Sequence, residues 1–312
     1  MKKLVAALLI ILSVAVGALF IYSSYTKLYT LESFESFQYS IVEYVKLPWL
    51  LAAIGGRLLI GLEMALGVLL LTHLWGKKKW VPRAAFALTI IFSIYLIYLW
   101  IYAGNDINCG CFGDAIWMSP STSLIKNASL LLALFILIRF HNGFTNAKIQ
   151  WLSLALTLAI SSIAFILYPM PSSQPQWLKK GRFQLDMSKL YEPGKTDAPK
   201  VDLYKGKHVI AFFSLKCPHC QMAAYKMHIM KAKNPSLPFQ MVIAGKDEYK
   251  VEFFNKTKAT NIPYTKLKGD DFTALIGYSF PVIYFIKDGW VEAETNYIEM
   301  NQQSIEDWLA KP

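Results

Sequence analysis

The chain has four cysteines, and their spacing divides them into two pairs. Cys217-Pro218-His219-Cys220 closes one short ring and Cys109-Gly110-Cys111 a still shorter one. Two thiols held this close exchange electrons by thiolate attack, mixed-disulfide formation and displacement by the second sulfur. A ring with one intervening residue is strained when closed and therefore easily reduced, which suits a relay. Spacing alone leaves the second pair open between relay, loop staple and reduced thiols. Metal binding is not expected, because two thiolates without a nearby His fall short of the four ligands of structural zinc.

Cys217 follows the apolar run "HVIAFFSL" and opens "CPHCQMAAYKMHIMKAK", which reads as a buried strand followed by a helix. That places Cys217 at a helix N-cap and Pro218 at the first helical position, where its missing N–H costs nothing. Free N–H groups and the helix dipole stabilise a thiolate there, with Lys216 and protonated His219 adding positive charge. Cys217 is the expected attacking sulfur and Cys220 the resolving one. His219 either tunes the pair or faces solvent. "FQMVIAG" reads as a second strand and "EYKVEFFNKTKA" as a helix. "PVIYFIKDGWVEAETNYI" reads as a hairpin turning at Asp288-Gly289, and "NQQSIEDWLAKP" as a closing helix.

Strand, Cys-x-x-Cys helix and a later Pro entering a hairpin resemble the thioredoxin fold over roughly residues 180–312, and "FFSLKCPHC" resembles the active site of DsbA/TlpA-type periplasmic oxidoreductases. The resemblance implies a cis-proline at Phe280-Pro281 beside the sulfurs. It departs at Ala211, six residues before Cys217, where such enzymes often carry a buried acid.

The first half is built differently. Apolar runs over residues 4–22, 50–72, 84–103, 124–140 and 151–168 are long enough to cross ~30 Å of hydrocarbon. The first run is longer than a signal-peptide core and is expected to be retained as a span. Between the first two, residues 30–47 place Leu31, Phe34, Ile41 and Val45 on one helical face and Glu32, Glu35 and Glu43 elsewhere, the pattern of an interfacial helix. The expected domains are a helical membrane domain over 1–168, a Pro- and Ser-rich linker over 169–180 and an α/β domain over 181–312.

Lys2, Lys3, Lys77, Lys78, Lys79, Arg83, Arg139 and Lys148 lie in alternate loops that contain no acid, so these loops are expected in the cytoplasm. "NDINCGCFGD" and the C-terminal domain then lie outside a bacterial-type inner membrane, on the periplasmic, oxidising side. The same topology accounts for most of the net charge of +11, and no basic patch interleaved with aromatics calls for nucleic acid.

"CGCFGD" with the following "LIKNASLLLALFIL", "GLEMALGVLLL" in the second span and "SSYTKL" after the first resemble the methylamine-utilisation MauE family, a branch of the DoxX-like four-helix membrane proteins. The resemblance covers about residues 5–140 and implies a thiol–disulfide role serving a secreted partner. The fifth span and the fused domain go beyond that unit and argue against a methylamine-specific role.

Glu63, near the middle of the second span, is costly there unless paired with another helix, and a quinone or proton site is its second reading. Tyr95, Tyr98, Trp100 and Tyr102 read as an interfacial aromatic belt, with quinone contact at Trp100 as the alternative. No covalently bound cofactor is expected. Ala52, Gly56 and Gly61 read as small residues that let helices approach.

The composite expectation is a membrane thiol–disulfide oxidoreductase passing electrons between Cys217/Cys220 and Cys109/Cys111, supporting disulfide formation in exported thiol proteins. A reductant or isomerase-type donor and a non-enzymatic tethered assembly factor are the alternatives.

Overall fold

The computed structural model describes residues 2–170, 176–177 and 182–311; most of the expected linker lies outside these. Two compact units divide the chain, Met1–Met170 and Pro171–Pro312.

The first unit is helical. Its elements are α1 (Lys2–Leu28), α2 (Leu31–Ser40), a π-helical turn (Ile41–Val45), α3 (Trp49–Leu71), α4 (Trp80–Ala103), a short extended segment β1 (Cys111–Asp114), α5 (Pro120–Phe140), α6 (Ala147–Ser161) and α7 (Ile163–Leu167). Among the described residues, five helical stretches are long and apolar enough to cross a membrane, which makes this a multi-pass membrane protein. Helices α1 and α3 meet where two glycines face each other: a Cβ on Gly67 would stand 2.8 Å from the Gly17 carbonyl oxygen. Gly61 meets the backbone of Ser161 in the same way. The core between the helices holds Phe20, Leu66, Leu69, Leu70, Trp75 and Leu134.

The segment expected at the interface is only partly of that kind. Glu35 is buried and hydrogen-bonds Tyr39, whereas Val45 is exposed. The π-turn over Ile41–Val45 breaks the 100° repeat beyond Ser40 and turns Val45 off the face, while Glu35, on the regular helix α2, is buried with Tyr39 as its partner.

The second unit is a sheet domain: β2 (Gln176–Trp177), β3 (Phe183–Gln184), β4 (Lys207–Ser214), α8 (Pro218–Lys233), β5 (Phe239–Ala244), α9 (Lys250–Thr257), β6 (Tyr264–Leu267), α10 (Gly269–Ile276), β7 (Val282–Lys287), β8 (Trp290–Thr295) and α11 (Gln302–Ala310). The strand order is β2-β8-β7-β4-β5-β6, with β3 also on β8. β4, β5 and β6 are parallel, and β7 and β8 are antiparallel to them. This mixed sheet, with a helix opening directly after its central strand, is the thioredoxin architecture. Asp288 and Gly289 both have positive φ, 51° and 79°, as a two-residue hairpin turn requires. Continuous burial along β4, β5 and β7 fits strands covered on both faces.

Candidate functional site: two dithiols

Cys217 is the N-cap of α8. β4 ends at Ser214, and the Cys217 N–H donates to the Ser214 carbonyl at 3.1 Å, so the strand delivers the cysteine directly to the helix start. Pro218 occupies the first turn. The Cys217 sulfur is half-buried and accepts from the Cys220 N–H at 3.4 Å, while Cys220 is fully buried and accepts from the Ser214 N–H at 3.3 Å. The Cys220 thiol donating to it, with the N–H groups of Cys220 and His219 and the His219 ring behind, pulls Cys217 down to about 6 from an ordinary 9.0. Burial, and then the bond to Cys217, pushes Cys220 far up. One sulfur is thus a half-buried thiolate near neutrality and the other a fully buried, protected thiol.

Surrounding groups are ordered. The His219 ring stacks on Tyr297 at 5.1 Å. Buried Lys226 donates to the carbonyls of Tyr297 and Ile298 at 2.9 and 3.1 Å, fixing the loop that carries Tyr297. The Phe280-Pro281 bond is cis. The β4–β7 register ends at Phe212 opposite Val282, which puts Pro281 at the end of β4 from which Cys217 emerges. Ala211 stands opposite Met241 in the β4–β5 ladder and both are fully buried, so this ladder position offers no proton-carrying side chain. Lys216 lays its ammonium over the Tyr249 ring at 3.9 Å.

The second dithiol lies on the loop between α4 and α5. Gly110 has φ +69°, a left-handed turn that brings Cys109 and Cys111 back toward each other. Cys109 is buried; its sulfur lies 2.9 Å from Ser123 Oγ and accepts from the Cys111 N–H at 3.3 Å. Cys111 is half-buried. The Cys109 thiol donating to it, helped by Lys126 and Lys27, holds Cys111 at about 6, and the same bond pushes Cys109 up. Both dithiols therefore have the same polarity, an accessible low-pKa sulfur backed by a buried high-pKa one.

Glu63 does have a partner on another helix. Its carboxylate lies 2.9 Å from the Lys27 ammonium of α1, and both are buried. Lys27 also donates to Ser23 Oγ at 2.8 Å. The Ser23 hydroxyl is within donating distance of Glu63 (2.6 Å) and of the Cys111 carbonyl (2.8 Å), tying the ion pair to the cysteine loop. Sequence reasoning missed Lys27 and Ser23 because it ended the first span at residue 22, whereas α1 runs on to Leu28. The usable signal was an unpaired mid-span acid with a lysine one turn beyond another span. Arg57 bonds instead to Gln38 and to the Ala53, Tyr168 and Pro169 carbonyls. Trp100 is exposed on α4 and does not line the cavity at the cysteine loop, whereas Tyr95 does.

A multi-pass helical domain with a dithiol loop, joined to a thioredoxin-fold domain with an N-cap thiolate, defines a membrane oxidoreductase of the thiol–disulfide class. Residues 5–140 match the family model of the methylamine utilisation protein MauE. The chain is similar to Protein TlpB of Flavobacterium psychrophilum, with 26% identity over 300 residues that cover 80% of each chain. Among solved structures it is similar to a secreted Mycobacterium tuberculosis disulfide oxidoreductase homologous to E. coli DsbE (18% identity, 34% of this chain and 81% of that one, TM-score 0.29). StoA from Bacillus subtilis is another (17% identity, 44% of this chain and 98% of that one, TM-score 0.29).

Proposed function

We propose that the protein is a membrane-bound oxidant that makes disulfides in exported proteins, with Cys217/Cys220 acting on the client and Cys109/Cys111 reoxidising that pair. The observation that carries this reading is the shared polarity of the two dithiols, each with a low-pKa sulfur, Cys217 or Cys111, in front of a raised one. A client thiolate attacks the Cys217–Cys220 disulfide at Cys217, and the second client thiol displaces Cys217. The client leaves oxidised and the pair reduced. The Cys217 thiolate then attacks the Cys109–Cys111 disulfide, and Cys220 resolves the mixed disulfide, moving two electrons to the loop. Fusion raises the concentration of each pair near the other, so a weak encounter suffices. Pro281 and His219 border the client-facing sulfur and are the proposed positioning residues on that side.

The basic loops at residues 77–83 and 139–148 and the cysteine loop are at opposite ends of the spans they join. This supports a cytoplasmic N-terminus and an extracytoplasmic redox domain in a bacterial-type inner membrane. The chain contains no third cysteine pair to receive electrons from the cytosol, which favours oxidant over reductant.

The test is thiol trapping in intact cells by acid quench and alkylation, comparing wild type with Cys109→Ser/Cys111→Ser. The oxidant reading expects Cys217 and Cys220 oxidised in the wild type and reduced in the variant. The reverse pattern identifies a reductant. An unchanged state, together with a Cys217→Ser variant that still matures its client, identifies an assembly factor.

A further inference from the structure

Beneath the Cys109-Gly110-Cys111 loop lies a cavity of ≈ 260 Å³, and both cysteines line it. Its polar lining includes Ser23, Lys27 and Glu63, with Lys126 and Asn127 of α5. Its walls are apolar, including Leu59, Phe92 and Leu96, and its rim includes Val45 and Ile91, both exposed on the surface of a membrane-spanning unit. The volume exceeds the roughly 150 Å³ that holds a benzene ring and falls just short of the about 300 Å³ at which pockets take drug-sized ligands. It suits one or two fused rings. The π-turn Ile41–Val45 contributes Ile41 and Val45 to the wall, and such turns are uncommon and frequently found at functional sites.

The chemistry also calls for an occupant. Two dithiols in one chain can pass an electron pair between them but cannot dispose of it. The cavity reaches the surface at the exposed apolar residues Val45 and Ile91 and also holds charged side chains, so an acceptor that reaches it would be lipid-soluble with a polar ring. Lys27 has three N–H groups, and Ser23 and Glu63 engage two of them. A third remains for a carbonyl oxygen in the cavity, beside the Phe37 ring whose centre lies 5.5 Å from the ammonium.

We propose that this cavity is a quinone site: the quinone ring enters from the lipid past Val45 and Ile91 and oxidises the Cys109/Cys111 dithiol. The proposal rests on the redox role given above to the loop. The Cys111 thiolate adds to the quinone ring. The Cys109 sulfur, losing its proton, attacks Cys111, forming the S–S bond and breaking the bond to the ring. Two electrons leave the sulfurs, and the departing ring takes them with two protons, one from Cys109 and one from solvent water, as the hydroquinone. Lys27 holds the carbonyl oxygen on which negative charge develops.

The experiment uses the full chain carrying Cys217→Ser/Cys220→Ser, so that only the loop can react. It is reduced, freed of reductant without oxygen, and placed in phosphatidylethanolamine/phosphatidylglycerol nanodiscs. Ubiquinone-1 and menadione are added separately, and quinone absorbance and the mass of the Cys109–Cys111 peptide are followed. The expected result is one hydroquinone and one loop disulfide per chain. Ile91→Trp and Val45→Trp, both at exposed positions, should lower the rate at least tenfold. Leu132→Trp, exposed on α5 away from the cavity, should keep it. No hydroquinone, or equal rates in the rim variants and wild type, overturns the proposal and leaves the cavity to lipid acyl chains. Because the assay lacks the second pair, quinone reduction can succeed where the relay fails, and the trapping experiment above detects the relay where quinone reduction fails.

Discussion

The Lys27 ammonium and the Glu63 carboxylate stand 2.9 Å apart, buried between α1 and α3, with Ser23 bridging them to the Cys111 carbonyl. Removing one member leaves a buried charge uncompensated, whereas removing both leaves only a polar space. Lys27→Met should therefore destabilise the membrane domain by about 3–5 kcal/mol. Lys27→Met/Glu63→Gln should recover most of that loss. Thermal unfolding in detergent, read by tryptophan fluorescence, compares the two. A double variant no better than the single one would place the effect elsewhere than in the ion pair.

Cys217 gives a pH dependence whose sign is fixed. Its ordinary value of 9.0 falls to about 6 in the folded, reduced domain. Alkylation of Cys217 in a Cys220→Ser, Cys109→Ser/Cys111→Ser chain reports the thiolate with the Cys220 bond removed, and in the Cys109→Ser/Cys111→Ser chain with it present. The second should show a midpoint near 6, with the rate falling tenfold per unit below it, and the first a higher midpoint. The same shift enters stability. A depressed value stabilises the reduced form fully above 9, and this stabilisation is lost as pH falls through about 6. The disulfide form has no such term, so lowering the pH from 9 to 6 should favour the oxidised domain. Reduction by a glutathione series at several pH values measures it.

Helix contact at the paired glycines is equally specific. A Cβ at Gly67 would lie 2.8 Å from Gly17 O and one at Gly17 would lie 2.7 Å from Gly67 O, backbone atoms that cannot swing aside. Gly67→Val should cost about 1–3 kcal/mol through overpacking. Gly55→Ala on the same helix, with nothing within 4 Å of the added carbon, should be within about 0.5 kcal/mol of wild type. Denaturation of the purified variants separates a packing contact from a general intolerance of α3.

Most of the thioredoxin half was legible because the central strands β4, β5 and β7 are continuous apolar runs and the hairpin turn at Asp288-Gly289 carries its own chemistry. The short strand β6 and helix α10 were not, since "YTKL" and "GDDFTALI" are brief and half polar. In the membrane half, spans were legible from length. Their ends were not, because Ser23 and Lys27 are polar residues that stay inside the bundle by bonding to Glu63 and to the cysteine loop. The two cysteine pairs were read from spacing, but spacing is silent on which sulfur of Cys109 and Cys111 is exposed. That depends on Ser123, fourteen residues away and brought to Cys109 by the first turn of α5.

Ser123 gives the test of that asymmetry. Its hydroxyl lies 2.9 Å from Cys109 Sγ, and hydrogen bonding to Ser123 lowers both Cys109 and Cys111. If Cys111 is the loop's attacking sulfur, its thiolate is held by the Cys109 thiol first and by Ser123 in addition. Ser123→Ala removes that second donor, and a bond to a charged group is worth about 1.5–3 kcal/mol. Ser123 is the smallest of the groups that lower Cys111, so only part of that is lost and the alkylation midpoint in a Cys217→Ser/Cys220→Ser chain should rise from about 6 by roughly one unit. Ser123→Thr keeps the hydroxyl and should restore the midpoint. A purely structural role in α5 would instead move unfolding temperature and leave the midpoint in place, so the two measurements together decide whether Ser123 tunes the sulfur or only holds the helix.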